Sequence, residues 1–314
     1  TIGPVVGQIL LGLVGVFLLF AINAATYIGV VLAMMAWRRP AEARASQRRE
    51  GFFEAARTGI AFVKNSAELK AIFASPLAWI VLTLLQLILS FGFLKRLDDF
   101  MQIQAQLMQS PNPPGVTELV VVPVYATCAV IMLFAVPLLA MRLIAEERRN
   151  QTMVLLLSAP LSMTEIVLGK FTGLMVFLLL IVGVTTLMPL ALLAGGRLDF
   201  GLLASVICGV ALLAASFAAV ALYASCLTAQ PLSAAIIAFS LLLGMLLTGE
   251  AAGDGLRERG WTVPAALAQV LSPLKNFESF AKGTLDSYSI ACMVLLTAVF
   301  LILSVRRLDA ARLG

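Results

Sequence analysis

The chain has 314 residues, 61% of them hydrophobic and 12% charged, with a formal net charge of +5 and a mean hydropathy of +1.00. A soluble globular chain averages about 45–50% apolar and about 25% charged residues, so this composition excludes a water-soluble fold and points to lipid. The excess of positive charge does not indicate nucleic-acid binding, because the basic residues gather at the ends of apolar runs: Arg38-Arg39, Arg48-Arg49, Arg148-Arg149 and Arg306-Arg307. Such placement is the pattern of cytoplasmic flanks.

Every backbone polar group inside a bilayer must be satisfied within its own segment, so apolar runs of about 20 residues are expected to be helices. Short alternating strands of the barrel type are missing. The chain opens on Thr1 and enters an apolar block at once, without the basic n-region of a secretory signal, and so reads as starting inside a membrane segment. The block from Pro4 to Trp37 would be about 50 Å long as one helix, more than a bilayer core of about 30 Å. It is therefore expected to supply one or two spans, with a break near Gly12–Gly15. Residues 38–70 are polar and basic, with Phe52, Phe53, Ala56, Ile60 and Val63 at helical spacing. That spacing predicts a helix lying in the interface.

Six spanning helices are predicted next, at 76–94, 119–143, 165–194, 200–226, 231–248 and 287–305. A polar external loop is expected over 95–118, an external turn at Gly195-Gly196-Arg197 and a long external excursion from Glu250 to Asp286. The charged loop from Ala145 to Thr164 and the uncharged turn from Leu227 to Gln230 fall on the inner side, as does the end marked by Arg306-Arg307, Asp309 and Arg312.

Cys128, Cys208, Cys226 and Cys292 lie in apolar segments, and the chain has no histidine. Without a CxxC pair the usual zinc ligand sets are missing. Gly169-Lys170-Phe171-Thr172 has the Gly-Lys pair of a phosphate loop. Thr164 stands where the leading glycine belongs, however, and Phe171 where Ser or Thr would bind Mg²⁺. Lys170 reads as a lysine at the membrane boundary. No catalytic site and no cofactor site are expected in this chain.

Polar residues inside spans are costly and deserve notice. Arg142 lies at a helix end and can snorkel, whereas Asn23, Gln86 and Gln230 are candidates for bonds to neighbouring helices. No predicted span carries an ionised residue near its centre, so a proton relay has no visible parts.

The loop 141–170 is the informative one. A helix is expected to leave the membrane through Glu146, Glu147, Arg148 and Arg149 and to run past Thr152 as an amphipathic piece to Ser158, where Pro160 stops it. Ser162 and Glu165 then form a Ser-x-x-Glu capping box that starts the next span. A short charged helix held between two spans suits the transmission of force from a soluble partner. On the residues alone, an ordinary solvated loop obeying the charge rule stays open as an alternative.

The order of residues in this loop, Glu146-Glu147-Arg148 followed by Thr152, Pro160, Glu165 and Lys170, resembles the first cytoplasmic loop of ABC-2 permeases. Phe73-Ala-Ser-Pro-Leu-Ala-Trp79 resembles the entry to that family's first span. Ser272 to Asp286, followed by a last span and Arg306-Arg307-Leu308, is similar to the C-terminal end of its gliding-motility-type branch. One departure is Asn150-Gln151-Thr152, where a Gly-Thr pair is usual. The resemblance covers 68–314 and implies an all-α, six-span bundle. It also implies a coupling helix at 146–163, with Glu146, Glu147, Arg148, Arg149, Thr152, Pro160, Ser162 and Glu165 forming the ATPase-coupling loop, and a re-entrant segment before the last span. The implied partners are a second permease, the same or different, and an ABC ATPase that carries ATP and Mg. The implied location is the bacterial inner membrane, with a cytoplasmic C-terminus.

Residues 1–67 differ. Gly3-Pro-Val-Val-Gly7, Phe20-Ala-Ile-Asn23, Trp37-Arg-Arg-Pro40 and Gly59-Ile-Ala-Phe-Val-Lys-Asn65 resemble part of a major facilitator efflux transporter. The chain is thus expected to join a facilitator-like fragment, 1–67, to a permease domain, 68–314. Two other readings remain: a facilitator-type secondary efflux transporter, and a non-transporting membrane anchor from a fused gene.

Overall fold

The computed structural model describes residues 75–107, 114–151, 163–194, 198–249 and 270–313. The expected spans and interfacial helix within 1–67 lie outside these residues, as do the turn 195–197, residues 250–269 of the excursion 250–286, and the loop residues Thr152, Pro160 and Ser162. All described elements are helical: α1 (Pro76–Leu107), a π-helical turn (Thr117–Val121), α2 (Val122–Ala140), α3 (Ala145–Arg149), α4 (Met163–Ala191) with a 3-10 turn (Leu192–Ala194), α5 (Phe200–Leu227), α6 (Pro231–Leu247), α7 (Pro273–Ala281) and α8 (Ser287–Leu313). Five helices are long and apolar enough to cross a membrane, and α6 is a shorter apolar helix. At 17 residues it stands at the lower end of the length that spans a bilayer core. The fold is that of an all-α integral membrane protein, with helices at each of the six predicted spans.

Helix α5 is the axis of the bundle. Its buried side chains include Val210, Leu213, Ala214, Phe217, Ala218, Ala221 and Ala224, and α2, α4, α6, α7 and α8 all pack against it. The small alanines allow close approach of neighbouring helices, as association in lipid requires. Asp199 starts α5, its Oδ1 accepting the N–H groups of Gly201 and Leu202 at 2.9 and 3.1 Å, which satisfies donors that every helix start leaves open. Helix α1 turns Leu82, Leu85, Leu89 and Phe93 inward and Ile80, Leu84, Leu87 and Phe91 outward. The outward stripe suits lipid, where exposed apolar side chains carry no penalty.

Polar side chains clasp the helices inside the bundle. Gln86 Nε2 donates to Thr185 Oγ1 at 2.9 Å and to the Ile181 carbonyl at 3.1 Å, joining α1 to α4. Tyr125 and Thr186 share a 2.7 Å hydrogen bond between α2 and α4. Ser205 Oγ donates to the Phe280 carbonyl at 3.1 Å, tying α7 onto α5. Gln86 thus does what its sequence position suggests. Gln230 instead precedes α6 in the turn after α5.

Two expectations are corrected. Residues 95–107 are not loop: α1 continues through them to Leu107. Polarity alone suggested a loop, yet residues 95–107 contain neither glycine nor proline. Leu97 and Phe100 remain buried along it, and Gln102 bonds Asp98 one turn back at 3.1 Å. The charged helix is also not a continuation of the preceding span. Helix α2 ends at Ala140, residues 141–144 form a turn, and α3 closes after five residues at Arg149. The corner forms because Ile144, at φ −123° and ψ −39°, leaves helical geometry and buries its side chain in a small cluster with Val167, Leu222, Cys226 and Leu308.

Candidate functional site

The corner 141–151 lies at the end of the bundle shared by the start of α4, the end of α5, the start of α6 and the end of α8. Helix α3 begins without a capping side chain of its own. Ser225, on α5, takes that place: its Oγ accepts the N–H groups of Ile144 at 3.2 Å and Ala145 at 3.1 Å. At the other end, the N–H of Asn150 bonds back to Glu146 and Gln151 adopts φ +57°. A left-handed residue of this kind reverses the chain at a helix end and is ordinarily glycine.

The two adjacent carboxylates of α3 point apart, as the roughly 100° step of an α-helix demands. Glu147 turns inward, and its Oε1 accepts from Lys170 Nζ at 2.7 Å. The Lys170 side chain is 4% exposed and that of Glu147 28%. Glu146 turns outward toward Arg142, 3.9 Å away, with both side chains nearly half exposed. A surface pair of that kind is worth about 0–1 kcal/mol. Arg142, Glu146, Arg149 and Asn150 face Gln230, Pro231 and Leu232 across an open groove of about 600 Å³.

Of the residues singled out in sequence, Glu146, Glu147, Arg148 and Arg149 come together on α3. Glu165 stands exposed in the first turn of α4. Its expected box partner Ser162 lies outside the described residues, with Thr152 and Pro160. Sequence reasoning missed Ser225, which is some 80 positions from its partners and looks like any serine in a membrane helix. It placed Lys170 at the boundary without its partner. Arg142 is at a helix end as expected, and it contacts Glu146.

The profile of the ABC-2 family transporter protein matches residues 65–313. The chain belongs to the ABC-2 transporter family. Members of that family are transmembrane components of ABC-type transporters and not themselves the catalysts. A second profile, that of a transmembrane secretion effector of the major facilitator group, matches residues 1–90. The two matches overlap over residues 65–90, which include the first half of α1, where Leu82, Leu85 and Leu89 share one hydrophobic core with the other helices of the ABC-2 bundle. No individually curated protein matches the chain.

Proposed function

We propose that this chain is the transmembrane permease subunit of an ATP-binding-cassette exporter. It pairs with a second permease and is driven by separately encoded ATPase subunits that carry ATP and Mg. The corner 141–151 faces the cytoplasm of a bacterial inner membrane, together with the C-terminus, and receives the ATPase. The observation that supports this reading is the short helix α3, which is capped by α5 and ion-paired to α4, with Glu146 and Arg149 turned outward into an open groove. A partner pressing on that groove would act on two spanning helices at once. Arginines 142, 148, 149, 306 and 307 at this end agree with the positive-inside rule.

The domain boundary belongs to the same proposal. Residues 1–67 are a fused facilitator-like piece that contributes anchoring, and transport resides in 68–314. Affinity purification of the chain in mild detergent tests the function. A co-purifying ATPase with a phosphate-binding loop is the expected result. Its consistent absence would turn the reading toward a secondary transporter or a membrane anchor.

A further inference from the structure

We infer that Glu147 and Lys170 are positioning residues that carry displacement of the corner into helix α4. This inference rests on the reading of the chain as an ATPase-coupled permease. Lys170 occupies the second turn of α4, where its neighbours Ile166, Val167 and Leu174 are buried and apolar. An apolar side chain would fill this place without the loss of ammonium hydration, so stability alone does not account for a lysine. The best-attested uses of a buried ion pair are to fix register and to serve as a switch.

The geometry assigns it that use here. Helix α3 is set off from α2 by the turn 141–144. It is held by Ser225 at its start and by Lys170 at its middle. Glu146 and Glu147 thereby divide the work: the outer carboxylate meets whatever docks, and the inner one pulls on α4. Helix α4 then runs from Met163 to Ala191. Toward its far end, Thr185 and Thr186 hydrogen-bond Gln86 of α1 and Tyr125 of α2. One helix thus has an ion pair at one end and clasps to two neighbours near the other. A shift imposed at Lys170 must reach those clasps.

The test uses the full chain with its native cysteines replaced, together with its co-purifying ATPase. Spin labels sit at Leu187 and Val294, lipid-exposed positions on α4 and α8. Inter-label distances are recorded with and without a slowly hydrolysed ATP analogue. Wild type should show a nucleotide-dependent shift. Lys170→Met should keep the ATPase and its basal hydrolysis, yet lose the shift, and Glu147→Gln should lose the shift as well. The double variant Glu147→Leu/Lys170→Met removes both charges of the pair together and guards against misfolding, and it should lose the shift too. A wild-type-sized shift in any variant overturns the inference while leaving the exporter reading intact. So does a wild-type complex that binds nucleotide without a shift. Loss of the ATPase from all three variants would make the pair part of the docking surface and overturn transmission. Absence of any ATPase from the wild-type preparation would overturn the exporter reading itself.

Discussion

Ser225 caps Ala145: a hydroxyl in the last turn of α5 accepts, at 3.1 Å, the N–H of the first residue of α3, a helix to which it is not joined. The same oxygen takes the N–H of Ile144 at 3.2 Å. Both donors are buried, so the corner keeps its shape only while the hydroxyl is present.

Ser225→Ala should therefore leave two buried N–H groups unsatisfied, at a cost of about 1–3 kcal/mol. Because α3 is local, the loss should appear there first. Hydrogen exchange across 141–151 is the measurement, and faster exchange at the corner with unchanged exchange along α1 is the expected outcome. Equal exchange at the corner would show that the cap contributes nothing.

Gln151 holds φ +57° at the position where the ABC-2 permeases it resembles usually carry glycine. A side chain in the left-handed region costs about 1–2 kcal/mol relative to glycine. Gln151→Gly should therefore stabilise the helix end by about 1 kcal/mol and slow exchange of the amides of Arg149 and Asn150. A destabilised helix end would mean that the glutamine side chain makes up for its backbone.

Gly209 lets α7 lie against α5. A Cβ added there would come within 2.6 Å of Phe280 Cβ, 2.7 Å of its ring carbon Cγ and 3.0 Å of Phe277 Cδ2, on two side chains buried against α5. Gly209→Ala must push α7 away and stretch the Ser205–Phe280 hydrogen bond. Overpacking of this kind costs about 1–3 kcal/mol, which a thermal melt in detergent should register as a lowered Tm. Gly244→Ala, with open space at its Cβ, is the control: it gains helix propensity without a clash and should not lower the Tm.

The spans were legible because long apolar runs bounded by charges have few other outcomes in lipid. The end of α1 was not, since polarity marks where a helix leaves the bilayer and not where it stops; Leu97 and Phe100 carry it on. The corner between α2 and α3 was hidden because Met141-Arg142-Leu143-Ile144 contains neither glycine nor proline. It is made by burial of Ile144 against α4, α5 and α8, a tertiary effect. The charged quartet of α3 could be read from sequence, but the opposite roles of Glu146 and Glu147 depend on which way a five-residue helix is turned.

If residues 1–67 only anchor, a chain starting at residue 68 should insert, fold and retain its ATPase. Gel filtration in detergent and co-purification measure this. Loss of the folded permease would mean that the facilitator-like piece packs into the transport fold.

The most direct measurement is site-specific photo-cross-linking in intact membranes from Asn150, on the rim of the groove, compared with Glu278, exposed on α7 at the opposite end of the bundle. The coupling reading predicts an adduct with the ATPase from Asn150 and none from Glu278, with a yield that changes when ATP is added. An adduct from Glu278, or none from Asn150 in membranes where the ATPase is bound, would contradict it.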